Sequence, residues 1–207
     1  SFSIAPQVSY TTIGAAKPLG ICGSGLIDLV AALYQSGIID ATGRLETDPD
    51  LLKSLPPELV DRLMSIDGMA AFRVAAATET ANGQAIVLTQ KDIRELQNAK
   101  AAIAAGIQVL AQQAGLKLRE IQQVYLAGGF GAYINTASAL TIGLIPPELE
   151  GKIASIGNAA GAGATAILLS EQALTLAETI SRRIKYVELA ACREFNDFFV
   201  DAMFFPE

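Results

Sequence analysis

The sequence predicts an α/β fold, with a mixed sheet flanked by helices, on three observations. Short apolar or β-branched runs recur between segments of helical periodicity. The order of elements is mixed: a helix, a hairpin, a long helix, then strand–helix–strand–helix–strand. Two of the apolar runs, ending at Ala127 and Ile156, lead straight into glycine clusters and then into helix-like patterns.

Taken in order, Val8 to Ile13 alternates and is β-branched, which predicts a strand, and Pro18 to Gly25 predicts a turn. From Ser24 onward, Leu26, Ile27, Leu29, Val30, Leu33 and Tyr34 have helical spacing, and Gly37 fits a residue that ends the helix. Ile38 to Pro57 is loop-rich, and Pro57 to Met64 predicts a short helix. Phe72 to Ala77 and Ala85 to Thr89 read as two strands joined through Asn82 and Gly83, an antiparallel hairpin. Thr89 and Asp92 have the spacing of a capping box. The helix they open runs to Ala114 with Ile93, Leu96, Ile103, Ile107 and Leu110 on one face, and Gly115 closes it. Ile121 to Ala127 predicts a buried strand, Asn135 to Ile142 a helix and Lys152 to Ile156 another strand. One long helix is expected from about Ala160 to Arg183, ending on basic residues that suit its dipole, followed by a last strand from Tyr186 to Ala190. Phe195, Phe198, Phe199, Phe204 and Phe205 make the tail aromatic, as either a terminal helix docked on the core or a partner-binding surface.

Composition narrows the function. With 51% hydrophobic and 17% charged residues over 207 positions, the chain buries a real core and is not disordered. A formal charge of −6 argues against a nucleic-acid partner, which needs a basic face to displace counterions. Histidine is absent, which removes Ser-His-Asp and Cys-His pairs and any imidazole metal site. Cys22 and Cys192 are too few for a zinc or iron–sulfur site within one chain, so no metal site is assigned, and both read as free thiols of a reducing compartment. The apolar runs are interrupted before the ~20 residues that a membrane span needs. The chain opens without Met, basic n-region or long apolar stretch, which reads as a cytoplasmic piece cut from a longer protein.

The candidate site residues are glycines and their neighbours. Gly128, Gly129, Phe130 and Gly131 follow one strand-like run, and Gly157, Asn158 and Gly161 follow another. Glycine lets a ligand approach the backbone, and the helix that follows offers unpaired N–H groups to a nucleotide's phosphate or ribose. Close strand-to-helix packing is the alternative at both places. Gly23, Ser24 and Gly25 form a third glycine-bearing turn at a helix start. No Walker A lysine follows and no G-x-G-x-x-G opens the first βα unit. Lys100, within the long helix, either snorkels or contacts a phosphate or ribose. Without histidine the general acid/base candidates are carboxylates: Asp28, Asp40, Glu79, Asp92 and Glu95. None has the setting of a catalytic base, and Asp92 suits a helix cap.

Several stretches together resemble the C-terminal region of the reductive activators of corrinoid iron–sulfur proteins, a ferredoxin-bearing family. They are Gly20-Ile-Cys-Gly-Ser-Gly-Leu-Ile-Asp28, the run from Thr89 to Ile103, Leu126-Ala-Gly-Gly-Phe-Gly-Ala-Tyr-Ile-Asn135, Gly157-Asn-Ala-Ala-Gly-Ala-Gly-Ala164 and Tyr186-Val-Glu-Leu-Ala-Ala-Cys-Arg-Glu-Phe195. The resemblance spans about Pro18 to Pro206 and implies a ribonuclease-H-like lobe of the acetate and sugar kinase/Hsc70/actin (ASKHA) superfamily. It implies that residues 126–131 face adenosine, with 157–163 nearby and 23–25 at a phosphate or interlobe contact. It also implies use of ATP and Mg²⁺ to deliver one electron to cob(II)alamin in a corrinoid protein. The 2Fe-2S cluster that supplies the electron would sit in an N-terminal domain outside this chain, and a first lobe with the magnesium-holding phosphate motif is missing or incomplete here. A homodimer is compatible with the family. Dehydratase activators similar in this region place a cluster ligand near Cys22, which two subunits could share. The competing readings are a small-molecule kinase of the same fold and a non-catalytic partner-binding module.

Overall fold

The computed structural model describes residues 2–3 and 8–206. β1 (Phe2–Ser3) pairs antiparallel with β2 (Ser9–Tyr10), so the strand expected over 8–13 is two residues long. Ile13 to Ala15 is instead a 3₁₀ turn with Gly14 and Ala15 at positive φ. α1 (Gly23–Gln35) follows as expected, with Ile27, Leu29, Val30 and Leu33 in the core. Gly37, at φ 79°, ends it: its N–H donates to Tyr34 O and that of Ile38 to Leu33 O, the paired bonds of a Schellman stop.

The loop-rich stretch after α1 is ordered from within. Asp40 Oδ1 accepts from the Thr42 and Arg44 amides and the Thr42 hydroxyl, and Ile38, Ile39 and Leu45 are buried. α2 (Pro49–Leu52) and α3 (Pro57–Val60) are single turns, each begun by proline. The helix expected to reach Met64 therefore stops early, because Leu63 to Ile66 forms β3. β3 pairs antiparallel with β4 (Met69–Ala75), and β4 with β5 (Ile86–Thr89). The tight hairpin turn lies at Asp67 and Gly68, both at positive φ as a type I′ turn requires. The expected turn at Asn82 and Gly83 lies in a longer β4–β5 connection that includes a 3₁₀ turn at Ala77–Glu79.

α4 (Gln90–Gln113) starts at the expected capping box: Thr89 Oγ1 accepts from the Asp92 amide, and Asp92 Oδ2 accepts from the Thr89 amide. Its buried face matches the expected one at Ile93 and Leu96 but not at every position farther along the helix. Ile103 and Leu110 are half exposed, while Gln97, Lys100, Ala101, Ala104, Ala105 and Val109 are buried. Small residues are needed here because α9 (Arg193–Asp201) packs on α4 and Leu189 presses on Gly106. β6 (Val124–Ala127) pairs in parallel with β7 (Ile153–Gly157); α5 (Gly128–Tyr133) and α6 (Thr136–Thr141) lie between them in sequence. Among the described residues the strands thus include both parallel and antiparallel pairings, distributed over three small sheets.

The long C-terminal helix is two helices, α7 (Ala159–Leu169) and α8 (Glu171–Arg183). Ser170 breaks it: its backbone is extended, and its hydroxyl accepts from the Ala173 amide as an N-cap. The last expected strand is absent among the described residues; a 3₁₀ turn at Leu189–Ala191 occupies that place. Of the tail aromatics, Phe205 is buried against Tyr34, with ring centroids 5.1 Å apart, so this end of the tail is core.

Lys100 closes the core. Its side chain is 1% exposed, and Nζ donates to Ala202 O and Phe204 O at 2.6 Å each, 5.0 Å from the Phe205 ring centre. Burial lowers its pKa to about 8, outweighing the carbonyls and ring that favour the charge. Lys100→Met is expected to cost about 2–3 kcal/mol by orphaning two buried carbonyls, with amide exchange accelerated first over 202–206. The sign of the pH effect follows from the lowered value. Between about 8 and 10.5 the unfolded chain binds the proton that the folded chain has released. Stability of the wild type relative to Lys100→Met should therefore rise with pH across that window, as denaturant titrations at stepped pH would measure.

Candidate nucleotide-binding face

The parallel register brings the two glycine clusters together. Val124 pairs with Ile153, Tyr125 with Ala154 and Leu126 with Ser155; one shift then sets Ala127 opposite Gly157. Both strands therefore finish side by side, and each runs into a glycine in the left-handed region, Gly128 at φ 86° and Gly157 at φ 62°. This geometry turns the chain sharply from strand into α5 and, through Asn158, into α7. The carboxyl edge of a parallel pair is where α/β folds place ligands.

The glycines divide by what a side chain would meet. Gly131 is buried, and a Cβ there would lie 3.3 Å from the Leu126 carbonyl carbon, so its role is to let α5 lie on its own strand. A Cβ on Gly161 would sit 2.5 Å from Asn158 Nδ2; the space is taken by the Asn158 amide, whose Oδ1 caps α7 by accepting from the Gly161 amide at 2.9 Å. Asn158 and Gly161 thus serve the helix start. Gly128, Gly129 and Gly157 face open space. Gly129 lies inside α5 without positive φ, so neither packing nor backbone geometry within this chain explains its missing side chain. Ala127, the N-cap of α5, supplies no side-chain acceptor to the first turn of that helix.

The third glycine turn also joins this face. A Cβ on Gly23 would lie 2.7 Å from Cε2 of Phe130, so the N-terminus of α1 abuts the ring of α5. Ser24 Oγ is 3.6 Å from Cys22 Sγ, and its hydroxyl, then the Gly25 amide, hold the Cys22 thiol below its ordinary pKa. Gly25 is buried, where a Cβ would crowd Cys22 Sγ at 3.2 Å and the Phe2 ring at 3.3 Å. Behind it lies a mostly apolar cavity of about 290 Å³, lined by Tyr10, Cys22, Val74 and Ile86 among others. Lys100 stands apart from this face, since its ammonium is engaged by the C-terminal carbonyls. Both cysteines are free thiols.

Charge sets a limit on what the face can hold. The sequence has no Lys or Arg between Lys17 and Arg44, between Arg119 and Lys152, or between Lys152 and Arg182. All three glycine segments lie in these cation-free stretches. These segments therefore supply no cationic side chain of their own to a phosphate. Sequence reasoning located the glycine clusters but missed the Gly23–Phe130 contact, for which proximity in space is the only signal.

Comparison with known proteins identifies the family of this fold. A family profile described as the C-terminal domain of RACo, the ASKHA domain, matches residues 2–207. The chain is 35% identical over 202 residues to the corrinoid activation enzyme RamQ of Eubacterium limosum, covering 96% of this chain and 33% of that protein. It is 24% identical over 186 residues to the Co(II) methylated amine-specific corrinoid protein reductase of Methanosarcina barkeri, covering 89% of this chain and 29% of that protein. A solved structure of a reductive activator for corrinoid, iron–sulfur protein superposes with a TM-score of 0.84 at 39% identity, over 99% of this chain and 31% of that one. The chain thus spans about a third of the length of these relatives. Matched over nearly its whole length in sequence and in fold, it belongs to the family of C-terminal ASKHA domains of the RACo type.

Proposed function

We propose that this chain is the adenosine-binding lobe of a reductive activator that couples ATP hydrolysis to one-electron reduction of cob(II)alamin in a corrinoid protein. The observation that carries the ATP assignment is Gly129, a helical glycine open to solvent between two left-handed strand ends, with no internal reason to lack a side chain. Family membership supports the activator role, and the names of the relatives favour it over a small-molecule kinase.

In this reading Gly128, Gly129 and Gly157 leave room for adenosine against the backbone, and the first turn of α5 offers it N–H donors. The phosphates and their Mg²⁺ belong to a second lobe elsewhere in a longer polypeptide, consistent with the cation-free stretches here. A 2Fe-2S cluster in an N-terminal domain supplies the electron that converts cob(II)alamin to the Co(I) form. This chain's task is conformational: nucleotide held on its face draws the lobes together, and closure changes how donor and corrinoid protein dock. The full protein would work in the cytoplasm, where Cys22 and Cys192 stay reduced, and would assemble as a homodimer. No helix among the described residues is long and apolar enough to cross a membrane.

One observation favours the partner-binding module as the second reading. Leu168, Leu169, Leu176, Ile180 and Ile184 are exposed along α7, α8 and the residue after α8. Phe205, by contrast, no longer counts toward such a surface.

Two measurements test the main reading. Calorimetric titration with ATP and Mg²⁺ should show strong binding to the longer natural protein and little to residues 1–207; absence from both would remove the ATPase assignment. Gly129→Val should abolish ATP binding with the fold retained, because its Cβ projects into free space where the ligand lies. Gly131→Ala should instead destabilise the chain by about 1–3 kcal/mol through overpacking against Leu126. Equal effects of the two substitutions on folding would contradict this division.

A further inference from the structure

Gly23 raises a question that helix geometry does not answer. It opens α1 without a positive φ, so its backbone accepts any L-residue, yet alanine is the better helix former. The Phe130 ring supplies the reason. A methyl group on Gly23 would sit 2.7 Å from Cε2, 3.5 Å from Cδ2 and 3.7 Å from Cζ. The two flanking carbons are nearly equidistant and well behind Cε2, so the ring meets Gly23 edge-on. A face-on approach would bring all three almost equally close. Both faces of the ring are thus left unblocked by Gly23, and Phe130 is 54% exposed.

We infer that Gly23 is the seat that fixes the Phe130 ring beside Gly129, and that this contact couples the nucleotide turn to the start of α1, where Cys22 is the N-cap. The inference rests on the nucleotide reading above and names a regulation of that site. Phe130 directly follows Gly129, so adenosine lying on the glycine backbone shares its space with the ring. The ring in turn bears on the residue next to Cys22. Ligand and α1 turn then bias a single rotamer, and the bias must run both ways. A side chain at position 23 would displace the ring without breaking the core, because Cε2 is at the free end of a half-exposed side chain.

The test uses the intact natural protein and four forms: wild type, Gly23→Ala, Phe130→Ala and the double variant. Gly23→Ala should weaken ATP binding about three- to tenfold, the range of one aromatic contact. The double variant should bind as Phe130→Ala does, since without the ring a methyl group at 23 meets nothing. In a Cys192→Ser background, ATP should slow alkylation of Cys22, and the slowing should vanish in Phe130→Ala. If Gly23→Ala fails to fold, refolding of the double variant upholds the steric seat, and misfolding of both overturns it. Wild-type-like affinity in a folded Gly23→Ala, a loss at 23 that persists without the ring, or Cys22 reactivity indifferent to bound ATP each overturns this inference alone. Absence of ATP binding by the wild type overturns the nucleotide reading itself, and this inference with it.

Discussion

The polar stripe of α4 is the constraint on which the rest of the molecule depends. Gln90, Gln97 and Lys100 recur along one side of the helix and bond to backbone that belongs to no sheet. Gln90 exchanges bonds with Gly43 O and the Leu45 amide, and Gln97 Nε2 donates to Thr42 O and Met203 O. Lys100 holds the carbonyls of Ala202 and Phe204. These side chains do for two irregular segments what a strand ladder does for regular ones. Each bond contributes only about 1 kcal/mol net, but each lost one strands a buried carbonyl at greater cost. The two segments also meet directly, through the Phe205 amide on Ala41 O.

From this stripe a continuous path leads to the glycine face. Phe205, held beneath Lys100, packs at a tilt against Tyr34 near the end of α1, and the Tyr34 hydroxyl donates to Pro206 O at 2.8 Å. α1 carries that placement to its other end, where Gly23 meets Phe130. The C-terminal residues thus fix the helix against which the glycine turn at 128–131 rests. This explains why a lysine on the buried face of α4 is structural: it stands far along the path from the glycines yet governs their backing.

The sequence made the α/β class and the glycine clusters legible because both rest on local patterns. Gly37 and Gly115 marked helix ends correctly, and Thr89 with Asp92 marked a helix start, since capping chemistry acts within one turn. The failures share a physical cause. Hydrophobicity placed Ile93, Leu96 and Ile107 correctly but misplaced Ile103 and Leu110, which are larger than the buried Ala101 and Ala105; close approach of α9, invisible in the local pattern, decides that part of the face. Ser170 breaks α7 from α8 by an N-cap bond that competes with a continuous Ala/Leu-rich pattern. The hairpin at Asp67 and Gly68 carried a strong turn signal that the less apolar strand β3, Leu63-Met-Ser-Ile66, concealed. Among the site residues, the parallel pairing that sets Ala127 opposite Gly157 and so brings the two glycine turns together is non-local, and no spacing announces it.

A face that is open, glycine-lined and flanked by cation-free sequence has an energetic consequence under the proposed function. A nucleotide lying on one surface keeps about half its area in water, and no cation of these segments compensates its phosphates. A half-site worth about 4 kcal/mol binds at about millimolar, whereas two such halves acting on one ligand approach micromolar. The difference is the free energy available to draw two lobes together, and it exists only because neither half suffices. A side chain at Gly129 that improved packing within this lobe would fill the gap on which that cooperation depends. Under that function the economy of the helix start is subordinate to an incomplete site: α5 accepts Gly129, which weakens it, so that a nucleotide rather than the lobe itself would complete the contact.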